Sequence, residues 1–216
     1  MRRSLSAAIP VAALALAVPA GALALDVQIA NTGTIAAPSC PANPCAVVSR
    51  TTAIQVKDGS DSGPFVVKRT GRIVSWSVTL ADPSSGQIHF FDKHEGGTAR
   101  AAIAILRNTG DLDDELIATG PVTHLQPDFG KTAQLTLSRP IPVVKGDIVA
   151  LSVPTWLPAL GLAYPTTTSW RASRSVAECS DVTRQTVQRT VGSVRRYDCL
   201  YQTALVTYSA TETTTG

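Results

Sequence analysis

Much is missing from this chain, and each absence narrows its function. Histidine is scarce: His89, His94 and His124 are the three in 216 residues. All of them follow Ser62, the serine of Asp61-Ser62-Gly63-Pro64. A chymotrypsin-type site needs its histidine and aspartate before the serine, so that loop makes no protease triad. Gly59-Ser60-Asp61-Ser62-Gly63 also lacks a serine in the middle position, which a nucleophile elbow requires. Paired C-x-x-C knuckles are absent too, which argues against a structural zinc site. Charged residues make up 16% of the chain, with a formal balance of +3, so composition gives nucleic-acid binding no support. No amphipathic helical repeat and no internal sequence repeat stands out.

Long apolar runs are confined to the N-terminus. Arg2 and Arg3 precede an apolar stretch from Ala7 to Val18, and Ala22-Leu23-Ala24 offers an A-x-A cleavage site. Residues 1–24 therefore read as a cleaved secretory signal, with the mature chain starting at Leu25. The apolar run is short and broken by Pro10 and Pro19, unlike a spanning helix, and no later segment reaches spanning length. After cleavage the protein would be extracellular, with no membrane span and a charge near +1.

The four cysteines fit that setting. In an oxidising compartment an even count favours disulfides, with three possible connectivities. Cys40 and Cys45 share the tight CPANPC loop, while Cys179 and Cys199 bracket a polar segment. The local pairs Cys40–Cys45 and Cys179–Cys199 are favoured; crossed pairing stays open if the first and last strands are neighbours.

What the chain has in quantity is strand grammar. In Lys131–Trp156, Ala133, Leu135 and Leu137 alternate with Gln134, Thr136 and Ser138, the period of a half-buried strand. Pro140 and Pro142 place that segment at a sheet edge or at a crossing between sheets. Lys145-Gly146-Asp147 supplies a turn, and Ile148–Val153 resumes as a strand. Arg72–Leu80 repeats the alternation, with Val74, Trp76, Val78 and Leu80 on one face. Gln87–Gly97 reads as a strand or a short packed loop, and Ala99–Arg107 as another strand.

About eight strands, punctuated by Gly, Pro, Asp and Ser, predict an all-β fold: one antiparallel β-sandwich, jelly-roll-like. Its expected divisions are the signal at 1–24, an N-terminal lead-in with the cysteine loop at 25–45, the sandwich at 46–210 and a frayed tail at 211–216.

Three motifs, Gly71-Arg72-Ile73-Val74-Ser75-Trp76, Ile103-Ala104-Ile105-Leu106-Arg107 and Ile141-Pro142-Val143-Val144-Lys145-Gly146-Asp147, carry a resemblance. With the cysteine loop before them, the chain resembles secreted β-sandwich proteins of high-GC Gram-positive bacteria that have no assigned activity. The resemblance implies the fold and supplies no catalytic or binding residue.

Two clusters invite a metal reading. His89, Asp92, His94 and Glu95 hold the right atoms for zinc, but strand alternation would put His89 on the opposite face from Asp92 and His94. Asp111, Asp113, Asp114 and Glu115 offer oxygens for calcium without the EF-hand spacing. A solvated turn accounts for both, and no cofactor is expected.

The best ligand candidates are Trp156, Tyr164 and Trp170, in or beside the Pro-bearing stretch 154–169, which reads as a long loop. Their rings suit a sugar or a protein surface if exposed, and the same loop could instead bury them. Six arginines nearby, Arg195 among them, outnumber Glu178, Asp181 and Asp198. The expectation is an extracellular binding or surface-interaction module for a glycan or cell-envelope component. A polysaccharide hydrolase using acids such as Asp92, Glu95 and Asp128, or a structural envelope protein, are the alternatives.

Overall fold

A computed structural model describes residues 24–33 and 36–215. Apart from Ala24, the signal segment lies outside the described residues. Fifteen strands are present rather than about eight: β1 (Ala24–Ala30), β2 (Val48–Asp58), β3 (Asp61–Ser62), β4 (Gly71–Thr79), β5 (Arg100–Gly110), β6 (Asp113–Thr119), β7 (Thr123–His124), β8 (Thr132–Val143), β9 (Ile148–Leu157), β10 (Leu160–Leu162), β11 (Ser169–Ala172), β12 (Val194–Arg196), β13 (Cys199–Gln202), β14 (Ala204–Val206) and β15 (Tyr208–Thr215). Among the described residues one α-helix, α1 (Ser85–His94), and two short 3-10 turns join them.

The strands form an antiparallel sandwich. One sheet has the order β1-β15-β4-β8; the other runs β12-β6-β5-β9-β2-β11-β13, with β3 added to β2 and β7 to β5. β10 and β14 make a small separate pair. The core between the sheets holds Ile73, Trp76, Val78, Ile103, Ile105, Val149, Leu151, Val153 and Tyr208. β8 forms one edge of its sheet, which is where Pro140 and Pro142 cost least. The Lys145-Gly146-Asp147 turn then carries the chain from that sheet to the other. Asp147 is buried there, accepting two bonds from the Arg107 guanidinium at 2.8 and 3.1 Å.

Several local expectations are corrected. In β4 a register shift between Ile73 and Ser75 turns Ile73 inward and leaves Val74 half-buried. The Gln87–Gly97 segment is helical as far as His94. Ser84 and Gln87 form a capping box at its start, which satisfies two otherwise open N–H donors. The lead-in contains a seven-residue strand, β1, and the tail expected to fray is held by it: Gln28 faces Thr211 and Leu25 faces Thr214. Threonine's branched Cβ favours strands, and Glu212 and Thr214 turn inward. Half of the expected loop at 154–169 is strand, β9 continuing to Leu157, β10 following and β11 starting at Ser169.

The segment between Ala172 and Cys199 adds a third layer. It lies over the outward face of β5, β9 and β2, where Ile54, Ala104, Leu106, Leu116 and Ala150 form a second apolar cluster with Tyr197. Buried polar side chains seal this layer by bonding one another. Thr52 and Ser152 share a 3.0 Å hydroxyl bond, and the Gln188 N–H donates to Thr52 Oγ1. The Gln188 amide also donates to the Asp114 and Ser193 carbonyls and accepts from the Tyr197 hydroxyl. Both cysteine pairs are the local ones, Cys40–Cys45 and Cys179–Cys199, and the second ties the added layer to β13. Two disulfides point to an oxidising, extracellular setting.

Candidate functional site

The aromatic candidates do not form a surface platform. Trp156 is 0% exposed; its indole N–H donates to Asp92 Oδ1 and to the Gly97 carbonyl, each at 3.0 Å. Its ring stacks on Phe91 of α1 at 4.9 Å and lies near Phe129. Trp170 is 4% exposed and stacks on Tyr201 at 4.5 Å. Tyr164 is half-buried; its hydroxyl accepts the Ala36 N–H, and burial pushes its pKa upward. Trp156 faces Ser49 across β9–β2 and Trp170 faces Gln55 across β11–β2, so the rings sit on opposite flanks of one strand. Trp156 and Trp170 are buried because β9 and β11 carry them into the sheet, whereas Tyr164 lies between strands. Arg195 is exposed on the edge strand β12, opposite Asp114.

The acid clusters serve the scaffold. Asp92 accepts from Trp156 and from the Gln126 amide, and Glu95 sits against Arg50. Asp114 accepts from Asn108, and Asp113 pairs with Arg196. Among the described residues no three His, Cys, Asp or Glu side chains gather as a metal set. Four of the six arginines near the added layer are likewise engaged. Arg171 donates to the Tyr197 and Asp198 carbonyls, Arg174 to the Ser49 carbonyl, Arg184 pairs with Glu178, and Arg196 with Asp113 and Asp198.

A groove that no sequence motif announces lies between the added layer and the outward face of β5 and β9. Its inner recess, about 140 Å³, is lined by Ala102, Thr119, Val122, Ser152, Pro154, Val187, Gln188 and Arg189. Val122, Pro154 and Arg189 also line an outer vestibule of about 400 Å³, completed by Gly96, Gly97, Thr98, Arg100, Thr155 and Gln185. The shared residues place the two spaces side by side. No carboxylate is among the described residues lining either part.

Both walls are anchored by named bonds. Trp156 Nε1 holds the Gly97 carbonyl, and Thr155 Oγ1 donates to the Thr98 carbonyl at 2.8 Å. On the facing wall, Gln185 Nε2 donates to the Pro154 carbonyl at 2.8 Å. Arg50 reaches both sides. Its guanidinium donates to the Thr183 carbonyl at 2.7 Å and to the His94 carbonyl at 3.0 Å, and its own carbonyl accepts the Thr186 N–H. Arg50 has φ 48°, in the left-handed region, at a register shift between β2 and β9. A non-glycine residue there costs about 1–3 kcal/mol, and here its bonds hold the groove together.

Arg100 and Arg189 are exposed on the rim, and neither has a carboxylate partner among the described residues. The acids around them are committed elsewhere, Glu95 to Arg50 and Asp92 to Trp156. The rim therefore carries two exposed guanidinium forks, suited to carboxylate or phosphate. No family model matches this chain, and neither a curated protein nor a solved structure is similar to it.

Proposed function

We propose that this is a secreted binding module, a jelly-roll-like sandwich whose groove takes an anionic glycan or other acidic component of the cell envelope. The observation that carries this reading is the pair Arg100 and Arg189, both without carboxylate partners among the described residues, at the mouth of a groove with pre-bonded walls. Binding is favoured over hydrolysis because glycoside cleavage needs two carboxylates across the cleft, and the residues lining this groove offer none. Secretion after a cleaved signal fits the two disulfides.

The test is capture of purified wild-type protein on isolated acidic envelope polysaccharide. Arg100→Gln/Arg189→Gln should lose most of the signal while keeping its melting temperature, whereas Arg195→Ala, outside the groove lining, should keep it. Full capture by the folded double variant would remove the groove from the reading. Binding should also weaken as salt rises, since exposed charges are screened.

A further inference from the structure

The recess and the rim ask for different chemistry. Four of the recess side chains are aliphatic: Ala102, Val122, Pro154 and Val187. Apart from Arg189, at the junction with the vestibule, the polar groups beside them are already engaged. Ser152 Oγ bonds Thr52 Oγ1 and the Gln188 carbonyl. The Gln188 amide has both its donor and its acceptor atom engaged. Thr119 Oγ1 donates to the Ile103 carbonyl at 3.1 Å. A sugar hydroxyl placed there would exchange water for walls with few bonds left to offer, at a cost in free energy. An apolar group would lose nothing and leave water behind. The volume, about 140 Å³, is close to that of a cavity of about 150 Å³ known to accept benzene.

Resting on the binding reading above, we propose that the unit taken by the groove is an organic anion carrying one compact apolar group. That group, the size of a phenyl ring or a branched five-carbon acyl chain, fills the recess behind Val187. The charge, carboxylate or phosphate, stays in the vestibule between Arg100 and Arg189. Charge complementarity fixes the orientation, because Arg100 lines the vestibule alone and Arg189 lies where the vestibule meets the recess.

Calorimetric titration of the secreted chain with small probes tests this. Benzoate, isovalerate and phenyl phosphate carry both features; acetate and inorganic phosphate have charge alone, and benzamide has the ring alone. The two-featured probes should bind at least about tenfold more tightly than any single-featured one, a margin that burying two methylene-sized groups would supply. A preference for benzoate over phenyl phosphate, or the reverse, identifies the anion. Val187→Trp, which fills the recess, should abolish benzoate binding. Arg189→Gln, an exposed change that spares packing, should reduce benzoate to the level of benzamide. Equal binding of benzoate with acetate or with benzamide, or unchanged affinity in Val187→Trp, overturns the proposal. If polymer capture still depends on the two arginines in that case, only this inference falls. If capture ignores them, the binding reading falls with it.

Discussion

The Arg50 guanidinium lies 3.4 Å from the Glu95 carboxylate, and between them these residues join the two walls of the groove. Glu95 follows the C-terminus of α1, just before the Gly96–Thr98 wall, while Arg50 grips the added layer at Thr183 and Thr186. Removing the guanidinium would leave a largely buried carboxylate unpaired and two carbonyl contacts, at Thr183 and His94, open. Arg50→Ala should cost about 2–3 kcal/mol, less than a fully enclosed pair because Arg50 is partly exposed. Limited proteolysis should then cut within 180–186 faster than in wild type. An unchanged cleavage rate would show that the added layer is held without Arg50.

Glu95 gives the protein a specific pH response. Burial raises its pKa above the ordinary 4.5, opposed by Arg50, by a Ser49 hydrogen bond and by the charges of Arg174 and His94. The folded state thus binds this proton more tightly than the unfolded chain. The stabilisation it contributes is fully present below about 4.5 and is lost as pH rises through the folded value. Asp114 and Glu212, also raised chiefly by burial, act in the same direction. Melting temperature should therefore fall as pH rises from about 4.5 towards neutrality. In Glu95→Gln the slope should be shallower, and parallel curves would place the response at the other two acids.

The Cys179–Cys199 bond closes a twenty-residue separation around the segment that supplies Gln185, Val187 and Arg189 to the groove. Chain entropy alone assigns such a crosslink about 3 kcal/mol. Cys179→Ala/Cys199→Ala should lower stability by about that amount and weaken capture of the acidic polymer together with it. Cys40→Ala/Cys45→Ala opens a separation of five and touches no groove residue, so it should cost less and leave capture intact. Equal losses of binding in both variants would mean that the effect is global unfolding.

The legible parts of this chain are those whose cause is local. Alternation in Arg72–Leu80 and Lys131–Val153 marks strands because one face meets the core at every second residue. Short spacing paired the cysteines. Helix α1 escaped because Phe90 beside Phe91 blurred the i, i+3 spacing of Ile88 and Phe91, yet Ser84-x-x-Gln87 is a start signal that could have revealed it. The groove had no such signal. Its parts come from residues 96–100, 119–122 and 185–189, brought together by a layer whose buried Thr52, Ser152 and Gln188 look like surface residues until they bond one another. Trp156, expected as an aromatic ligand contact, is buried, with its indole N–H on the Gly97 carbonyl of the groove wall.

That role can be separated from ligand contact. Trp156→Ala would empty a fully buried site and strand Asp92 and the Gly97 carbonyl, at a cost of about 3–5 kcal/mol. Trp156→Phe keeps most of the ring volume against Phe91 and Phe129 but loses both indole bonds, so about 1–3 kcal/mol should go, chiefly from the unpaired wall. If Trp156 only supports the Gly96–Thr98 wall, Trp156→Phe should bind the acidic polymer several-fold more weakly and respond to salt with the wild-type slope. Arg189→Gln should flatten that slope instead, because it deletes a charge at the mouth. A Trp156→Phe protein with wild-type stability and no binding would return the indole to direct contact with ligand.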